Sequence, residues 1–285
     1  MTTHDLLSRL DRKEMVDIAV LDFSKAFDTV PHQRLLNKLR FCGIGGRTHA
    51  WIDCFLRDRT HSVVVGGHRS HGPSATAGDP VISGVPQGTV LGPVLFLLYI
   101  NDLPNVLSPG TVCRLYADDC LIYRSIRSIQ DQLTLQTDLK ALHEWSLTWG
   151  LSFNVGKCSM LHLARQIENP CRFYTLGGEI IKSKGDADYL GVKLSNQYGT
   201  RSSQWQPHID SIVAKASQRL GFLKRSLRGS PYRLREMAFD ALVRSALEYG
   251  GSIWDPSVKS EVDRIERIQC LGARWVRGPG GGICH

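Results

Sequence analysis

The chain has 285 residues, about twice a usual domain, so one large or two modest domains with a sizeable buried core fit it. Hydrophobic residues make up 42% and charged residues 22%, and 27 Gly with 12 Pro are ordinary numbers, which excludes disorder, collagen-like repeats and low complexity as global descriptions. Lys and Arg exceed Asp and Glu by 8, a bias toward polyanionic partners that carries meaning only where the charge is localised.

Residues 1–13 suit a short helix, and the apolar run Asp17-Ile18-Ala19-Val20-Leu21-Asp22-Phe23 reads as a buried strand ending in a carboxylate. Helices are expected over 31–40, where Pro31 suits a first turn, and over 48–57, with Gly43, Gly45 and Gly46 between them. Val63-Val64-Val65 meets Gly66-Gly67, a hairpin signal, and 68–79 reads as loop. His61, His68 and His71 lack cysteine or acidic partners at ligand spacing, so no metal cluster is read there. After Ser83-Gly84-Val85-Pro86-Gln87-Gly88 an apolar segment runs to Leu103 and suits a helix despite Pro93. Its longest apolar stretch, Val94 to Ile100, is far short of the roughly 20 residues a membrane span needs, so no transmembrane helix is expected.

Residues 113–124 read as strand, turn, strand around Asp118-Asp119. Leu135, Leu139, Leu142, Trp145 and Trp149 keep helical spacing up to Gly150, a C-terminal stop. Strands are expected at 158–163, 172–181 and 188–194. Beyond about 197 the character changes: Ile209, Val213, Ala216, Leu220, Leu223 and Leu227 form one apolar stripe, and helical segments follow at 231–249 and 257–276. The expected division is an α+β body over 1–197 and a helical module over 198–285. The module holds most of the net positive charge, and Lys215, Arg219, Lys224, Arg225 and Arg228 fall mostly off the stripe, a face suited to phosphates. Eight cysteines without a Cys-x-x-Cys pair suggest neither disulfides nor a zinc site, and with no secretory leader in the first thirty residues an intracellular location is expected.

Adjacent residues of a regular strand face opposite ways, but a tight turn brings Asp118 and Asp119 to one side. Two unneutralised carboxylates in an apolar hairpin call for a cation, and Mg²⁺ prefers such hard oxygen ligands. Asp22 can add a third ligand from a neighbouring strand, a set suited to two metals and phosphoryl transfer. For an isolated pair a plain acidic turn is the commoner explanation, and spacing alone does not separate a nuclease from a polymerase.

Five blocks in order carry a resemblance: Leu21-Asp22-Phe23-Ser24-Lys25-Ala26-Phe27-Asp28-Thr29-Val30-Pro31-His32, Ser83-Gly84-Val85-Pro86-Gln87-Gly88-Thr89-Val90-Leu91-Gly92-Pro93, Tyr116-Ala117-Asp118-Asp119, Phe153-Asn154-Val155-Gly156-Lys157-Cys158 and Tyr189-Leu190-Gly191-Val192. The set resembles the palm of reverse transcriptases, most closely those of non-LTR, jockey-like retrotransposons, and Leu247-Glu248-Tyr249 with Trp254-Asp255-Pro256 is similar to that group's thumb. The resemblance implies a right-hand polymerase, an α+β palm with a helical thumb, acting as an RNA-directed DNA polymerase on an RNA template, a DNA primer and dNTPs. It implies Asp22, Asp118 and Asp119, with the Phe23 carbonyl, as ligands of two Mg²⁺ ions, Mn²⁺ being the alternative ion. Lys157 is then the proton donor to pyrophosphate. Phe27 is the gate against a ribose 2′-OH, and Gly84, Pro86, Gln87, Gly88 and Tyr116 belong to the nucleotide pocket. Tyr189, Leu190 and Gly191 match the primer grip, and the basic face of 206–228 would hold duplex phosphates. The family's role implies a nuclear site of action. Only about twenty residues precede Asp22, so the family's fingers region and endonuclease are expected to be missing, and a remnant that binds duplex without copying it is the competing reading.

Overall fold

The computed structural model describes residues 2–70, 78–163, 173–196, 205–256 and 258–278. The first elements are α1 (Thr2–Asp11), β1 (Met15–Asp22), α2 (Ala26–Thr29), α3 (His32–Phe41) and α4 (Gly46–Leu56). β1 is buried from Val16 to Ala19 and again at Leu21 because it lies inside a four-stranded sheet, which is why it reads as an unbroken apolar run. β2 (Thr60–His61) pairs with β5 (Asp79–Pro80), and β3 (Val64–Val65) pairs with β4 (His68–Arg69). Gly66 and Gly67 both take positive φ, 57° and 83°, the primed two-residue turn that the hairpin needs. That turn lays His68–Arg69 back on Val64–Val65, so the stretch 68–79, read as loop, carries a short strand at each end. His71 lies outside the described residues.

α5 (Leu91–Ile100) keeps Pro93 in its first turn, where the missing N–H costs nothing, and a 3₁₀ turn over Leu103–Val106 replaces the end of the longer helix expected there. β6 (Val112–Tyr116) and β7 (Asp119–Ile126) form a hairpin, followed by α6 (Ile129–Trp149) and β8 (Ser159–Leu163). The sheet order is β6-β7-β1-β8, which places β1 between the hairpin and β8. Ser128 caps α6 by accepting the Asp131 N–H at 3.3 Å, and Gly150 ends it in the left-handed region at φ 71°.

The strand expected over 172–181 is a hairpin, β9 (Tyr174–Leu176) and β10 (Glu179–Ile181), turning at Gly177-Gly178. The strand expected over 188–194 is another, β11 (Asp186–Tyr189) and β12 (Val192–Ser195), turning at Leu190-Gly191. In each case two consecutive positive-φ residues reverse a chain whose apolar pattern alone does not mark the reversal. The remaining elements are α7 (Gln206–Ser226), α8 (Tyr232–Phe239), α9 (Ser245–Glu248), α10 (Gly251–Trp254) and α11 (Lys259–Arg277). A π-helical turn over Asp240–Arg244 separates α8 from α9, so 231–249 is not one regular helix. Among the described residues, no helix is long and apolar enough to cross a membrane.

The chain divides into two compact units. One comprises Asp17–Met160 and Cys171–Ser183, the other Met1–Val16, Leu161–Pro170 and Lys184–His285. In the second unit Val192 of β12 shares a core with Trp205, Ile209, Ile212 and Trp254. A second core of this unit joins Ala216, Leu220 and Leu223 of α7 to Phe239, Val243, Leu247, Ile268 and Val276. In the sheet-bearing unit, Leu21, Leu35, Leu39, Phe96, Tyr99, Ile122, Leu139 and Leu142 are fully buried, each such aliphatic or aromatic side chain contributing about 1.5–3 kcal/mol.

Two polar devices stiffen that core. The buried Lys38 ammonium donates to the Tyr99 carbonyl and to Asp102, each at 2.5 Å, and lies 3.8 Å over the Trp149 ring, joining α3 to the segment after α5 and to the end of α6. Asp138 of α6, 1% exposed, accepts the Ser108 N–H at 2.8 Å and the Thr111 hydroxyl at 2.5 Å, fixing the loop that delivers β6. Asp138→Ala strands both donors and is expected to lower unfolding stability by about 2 kcal/mol, measurable by urea titration. An unchanged midpoint would mean that water serves this loop equally well.

Candidate active site

Asp22 stands at the end of β1, and its backbone is held on three sides. Its N–H donates to the Cys158 thiol at 3.4 Å, its carbonyl accepts the Asn154 N–H at 2.8 Å, and the next N–H, of Ser24, donates to Ser152 at 2.8 Å. Phe23 and Phe153 sit between the last two bonds as an antiparallel pair with rings stacked at 4.3 Å, so the Phe23 carbonyl takes no part in that bridge. The segment 152–158 thus fixes where the Asp22 carboxylate points. Its Oδ2 is buried and accepts no hydrogen bond, and its charged neighbour is the Lys157 ammonium at 3.5 Å.

The β6–β7 hairpin supplies the other two acids. Tyr116 pairs with Asp119, leaving Ala117 and Asp118 as a two-residue turn in which Ala117 holds φ 51°. A non-glycine residue there is strained, and the strain sets Asp118 at the tip and Asp119 at the first position of β7. The Asp119 carboxyl is held above the usual carboxylate range by its partial burial, then by Asp118 and by Asp22, so the three acids share one electrostatic field. Tyr116 is 65% exposed beside them.

This donor set fits divalent metal. The buried, unbonded Asp22 oxygen and the mutual repulsion of the carboxylates are both relieved by a hard cation. Among the described residues no three His, Cys, Asp or Glu side chains gather into a ready-made cage.

A wall near this strand end is built from the 27–32 segment and the glycine-bearing 83–88 segment. Pro31 bridges Ser83, the Gly84 N–H donates to Val30 at 2.8 Å, the Val85 N–H to Phe27 at 2.7 Å, and the Ser83 hydroxyl to Asp28 at 2.8 Å. The His32 Nε2–H donates to the Gly84 carbonyl at 2.8 Å, and the Gln87 amide donates to the Asp28 carboxylate at 2.8 Å. Gly84 has φ 91°, and a Cβ there would lie 2.8 Å from the Phe27 carbonyl and from the Asp28 backbone. Phe27 is half-buried, stacked on Phe96 at 4.4 Å. Pro86 and the Thr89 hydroxyl form the start of α5: Thr89 donates to the Pro86 carbonyl at 2.7 Å and accepts the Gly92 N–H at 3.0 Å. Gly88 has φ 77° with open space around it.

The remaining residues singled out from the sequence lie in the other unit. Leu190 and Gly191, φ 49° and 77°, make the primed turn between β11 and β12, and Tyr189 precedes them. The Tyr249 hydroxyl donates to the Leu190 carbonyl at 3.0 Å, and its ring would lie 2.9 Å from a Cβ at Gly191. Lys215, Arg219, Lys224, Arg225 and Arg228 are all exposed on α7 or just after it, although Arg219 spends one donor on the Leu242 carbonyl at 2.9 Å. Sequence reasoning did not single out Cys158, Asp28, His32 or Tyr249. Each acts through a long-range contact, and the only signal was membership of the quoted blocks or of the stretch after Leu247.

The family model for reverse transcriptase (RNA-dependent DNA polymerase) matches residues 3–194. The RNA-directed DNA polymerase from mobile element jockey of Drosophila melanogaster is 26% identical over 281 residues, which cover 95% of this chain and 29% of that protein. Its counterpart from Drosophila funebris is 28% identical over 282 residues, with the same coverage of each. The probable RNA-directed DNA polymerase from transposon BS of Drosophila melanogaster is 28% identical over 288 residues, 96% of this chain and 30% of that protein. The chain thus spans less than a third of the length of these relatives. Among solved structures, the telomerase from Candida tropicalis in complex with a fragment of telomeric RNA is similar over 97% of this chain and 47% of that one, at a TM-score of 0.47 and 10% identity.

Proposed function

The chain belongs to the reverse transcriptase family, and we propose that it carries the polymerising centre of an RNA-directed DNA polymerase, extending a DNA 3′-hydroxyl along an RNA template with dNTPs. The observation that carries this reading is the shared electrostatic field of Asp22, Asp118 and Asp119, with a buried Asp22 oxygen that accepts no hydrogen bond and lies 3.5 Å from the Lys157 ammonium. In this reading the three aspartates and the Phe23 carbonyl hold two Mg²⁺ ions, or Mn²⁺ in their place. When bound, such ions supply a more acidic hydroxyl for attack and charge neutralisation for the departing pyrophosphate.

The chain's own residues do the rest. Lys157, its ammonium 3.5 Å from the Asp22 carboxylate, would pass a proton to the leaving phosphate oxygen. Phe27, stacked on Phe96 and with its carbonyl accepting the Val85 N–H, would be the gate against a ribose 2′-OH. Gly84 allows the Pro86-Gln87 segment to lie against Asp28, shaping the pocket for the nascent pair. Tyr189, Leu190 and Gly191, tied by Tyr249, hold the primer end, and the exposed cations of α7 contact the duplex backbone without reading sequence.

The test is extension of a DNA primer annealed to RNA by the purified chain. Template-directed incorporation that needs Mg²⁺ or Mn²⁺ and stops with chelator is expected. Binding of the primed template without incorporation under either ion would overturn the reading in favour of a duplex-binding remnant.

A further inference from the structure

No hydrogen bond fixes the buried Oδ2 of Asp22, and the Lys157 ammonium stands 3.5 Å from it, outside hydrogen-bonding range. The aim of this carboxylate therefore rests on the Asp22 backbone. Around Phe23 the chain pairs in regular antiparallel fashion: the Asp22 carbonyl accepts the Asn154 N–H and the Ser24 N–H donates to Ser152, both at 2.8 Å. On the N-terminal side of Asp22 that pairing stops. The Asn154 carbonyl accepts the N–H groups of Lys157 at 2.9 Å and Cys158 at 3.1 Å, a turn that takes the backbone away from the Asp22 N–H. The acceptor for that N–H is a side chain, the Cys158 thiol at 3.4 Å, whose sulfur also lies 4.0 Å from the Asp22 carbonyl oxygen. Cys158 is 0% exposed, so water does not compete for the contact.

Both peptide groups that flank the Asp22 Cα are thus held, one by the thiol and one by Asn154. Cys158 directly follows Lys157, so the same anchor also sets the cation beside the acid. Without an acceptor at 158 the Asp22 N–H is left buried and unbonded, and the strand end gains by shifting until that donor finds a partner. Sulfur is a weak acceptor, whereas a serine hydroxyl in its place keeps the bond and shortens it. Resting on the metal-binding reading of the three acids, we propose that Cys158 is a positioning residue for the divalent-ion site, its sulfur fixing the Asp22 peptide and through it the direction of the carboxylate. Groups that hold a metal ligand from behind commonly change ion affinity by roughly 10–100-fold when removed.

The full chain can be titrated with Mn²⁺ alone, free ion being read by electron paramagnetic resonance, so that no turnover is involved. Asp22→Asn should remove the binding, Cys158→Ala should weaken it about 10-fold, and Cys158→Ser should restore it to near the parent's value. Amide hydrogen exchange at Asp22 in the ion-free chain should be faster in Cys158→Ala than in the parent or in Cys158→Ser. Asp138→Ala separates positioning from mere stability, because it strands two donors away from the acids and should leave Mn²⁺ affinity as in the parent. Equal affinity in Cys158→Ala and the parent would overturn the proposal. So would an equal loss in Asp138→Ala, which would make affinity follow stability, or a parent without Mn²⁺ binding that Asp22→Asn removes. A chain whose Mn²⁺ affinity depends on Cys158 but which never extends a primer keeps the positioning role and loses the polymerase reading. A chain that extends a primer while Cys158→Ala binds Mn²⁺ as the parent does loses the positioning role alone.

Discussion

Asp119→Asn should abolish incorporation, lowering the single-turnover rate by roughly 10³-fold, on the order of 4 kcal/mol of transition-state stabilisation. The amide keeps the size of the side chain and its place at the head of β7, so the hairpin register Tyr116 to Asp119 has no reason to slip. What it removes is charge. Folding tests this independently, because the Asp119 carboxyl titrates above its unfolded value through partial burial and the charges of Asp118 and Asp22. A carboxyl raised in the folded state costs stability as pH rises through the window from its unfolded to its folded value, and the full cost applies above that window. At neutral pH the asparagine variant should therefore melt no lower than the parent, and slightly higher in chelator. Mg²⁺ should raise the melting temperature of the parent more than that of the variant, since binding to the folded state alone stabilises it. Loss of activity with a lowered melting temperature would point to unfolding instead, and retained activity would remove Asp119 from the metal set.

The elements that set this site were readable where the signal was local. Asp22 announced itself as an acid closing an apolar strand, and Asp118-Asp119 as acids too polar for a regular hairpin. The α7 stripe predicted both a buried face and an exposed basic one, and both are present. What escaped was of two kinds. Non-glycine residues in left-handed turns, Ala117 and Leu190, carry no compositional mark, and the second of them hid a hairpin inside what read as one strand. Long-range polar contacts were equally silent. Cys158 accepts the Asp22 N–H from 136 residues away, and a thiol in a sequence reads as core filler. Lys38 reads as a surface cation and is 5% exposed, because its partners Tyr99 and Asp102 lie on a different helix and its following turn.

Gly84→Ala should be strongly damaging, because space and backbone conformation fail together. A Cβ would fall 2.8 Å from the Asp28 Cα, the Asp28 carbonyl and the Phe27 carbonyl, all backbone atoms that cannot swing aside. The residue also holds φ 91°, where an L side chain is strained. Relieving the clash means pulling the loop off the 27–30 segment, which breaks the bonds from Gly84 to Val30, from Val85 to Phe27 and from Gln87 to Asp28. A loss of about 3 kcal/mol is expected, a drop of roughly 6–10 °C in Tm for a chain of this size. Phe27 loses the bond that fixes its carbonyl, so whatever incorporation survives should discriminate less well between dNTP and NTP. Gly88→Ala is the control. Gly88 has a similar positive φ, 77°, but nothing within 4 Å of its would-be Cβ, so conformational strain alone, about 1 kcal/mol, applies there. If the two variants melted together, the close approach at Gly84 would carry no weight, and the shape of the pocket wall would have to rest on the Gln87 and His32 hydrogen bonds instead.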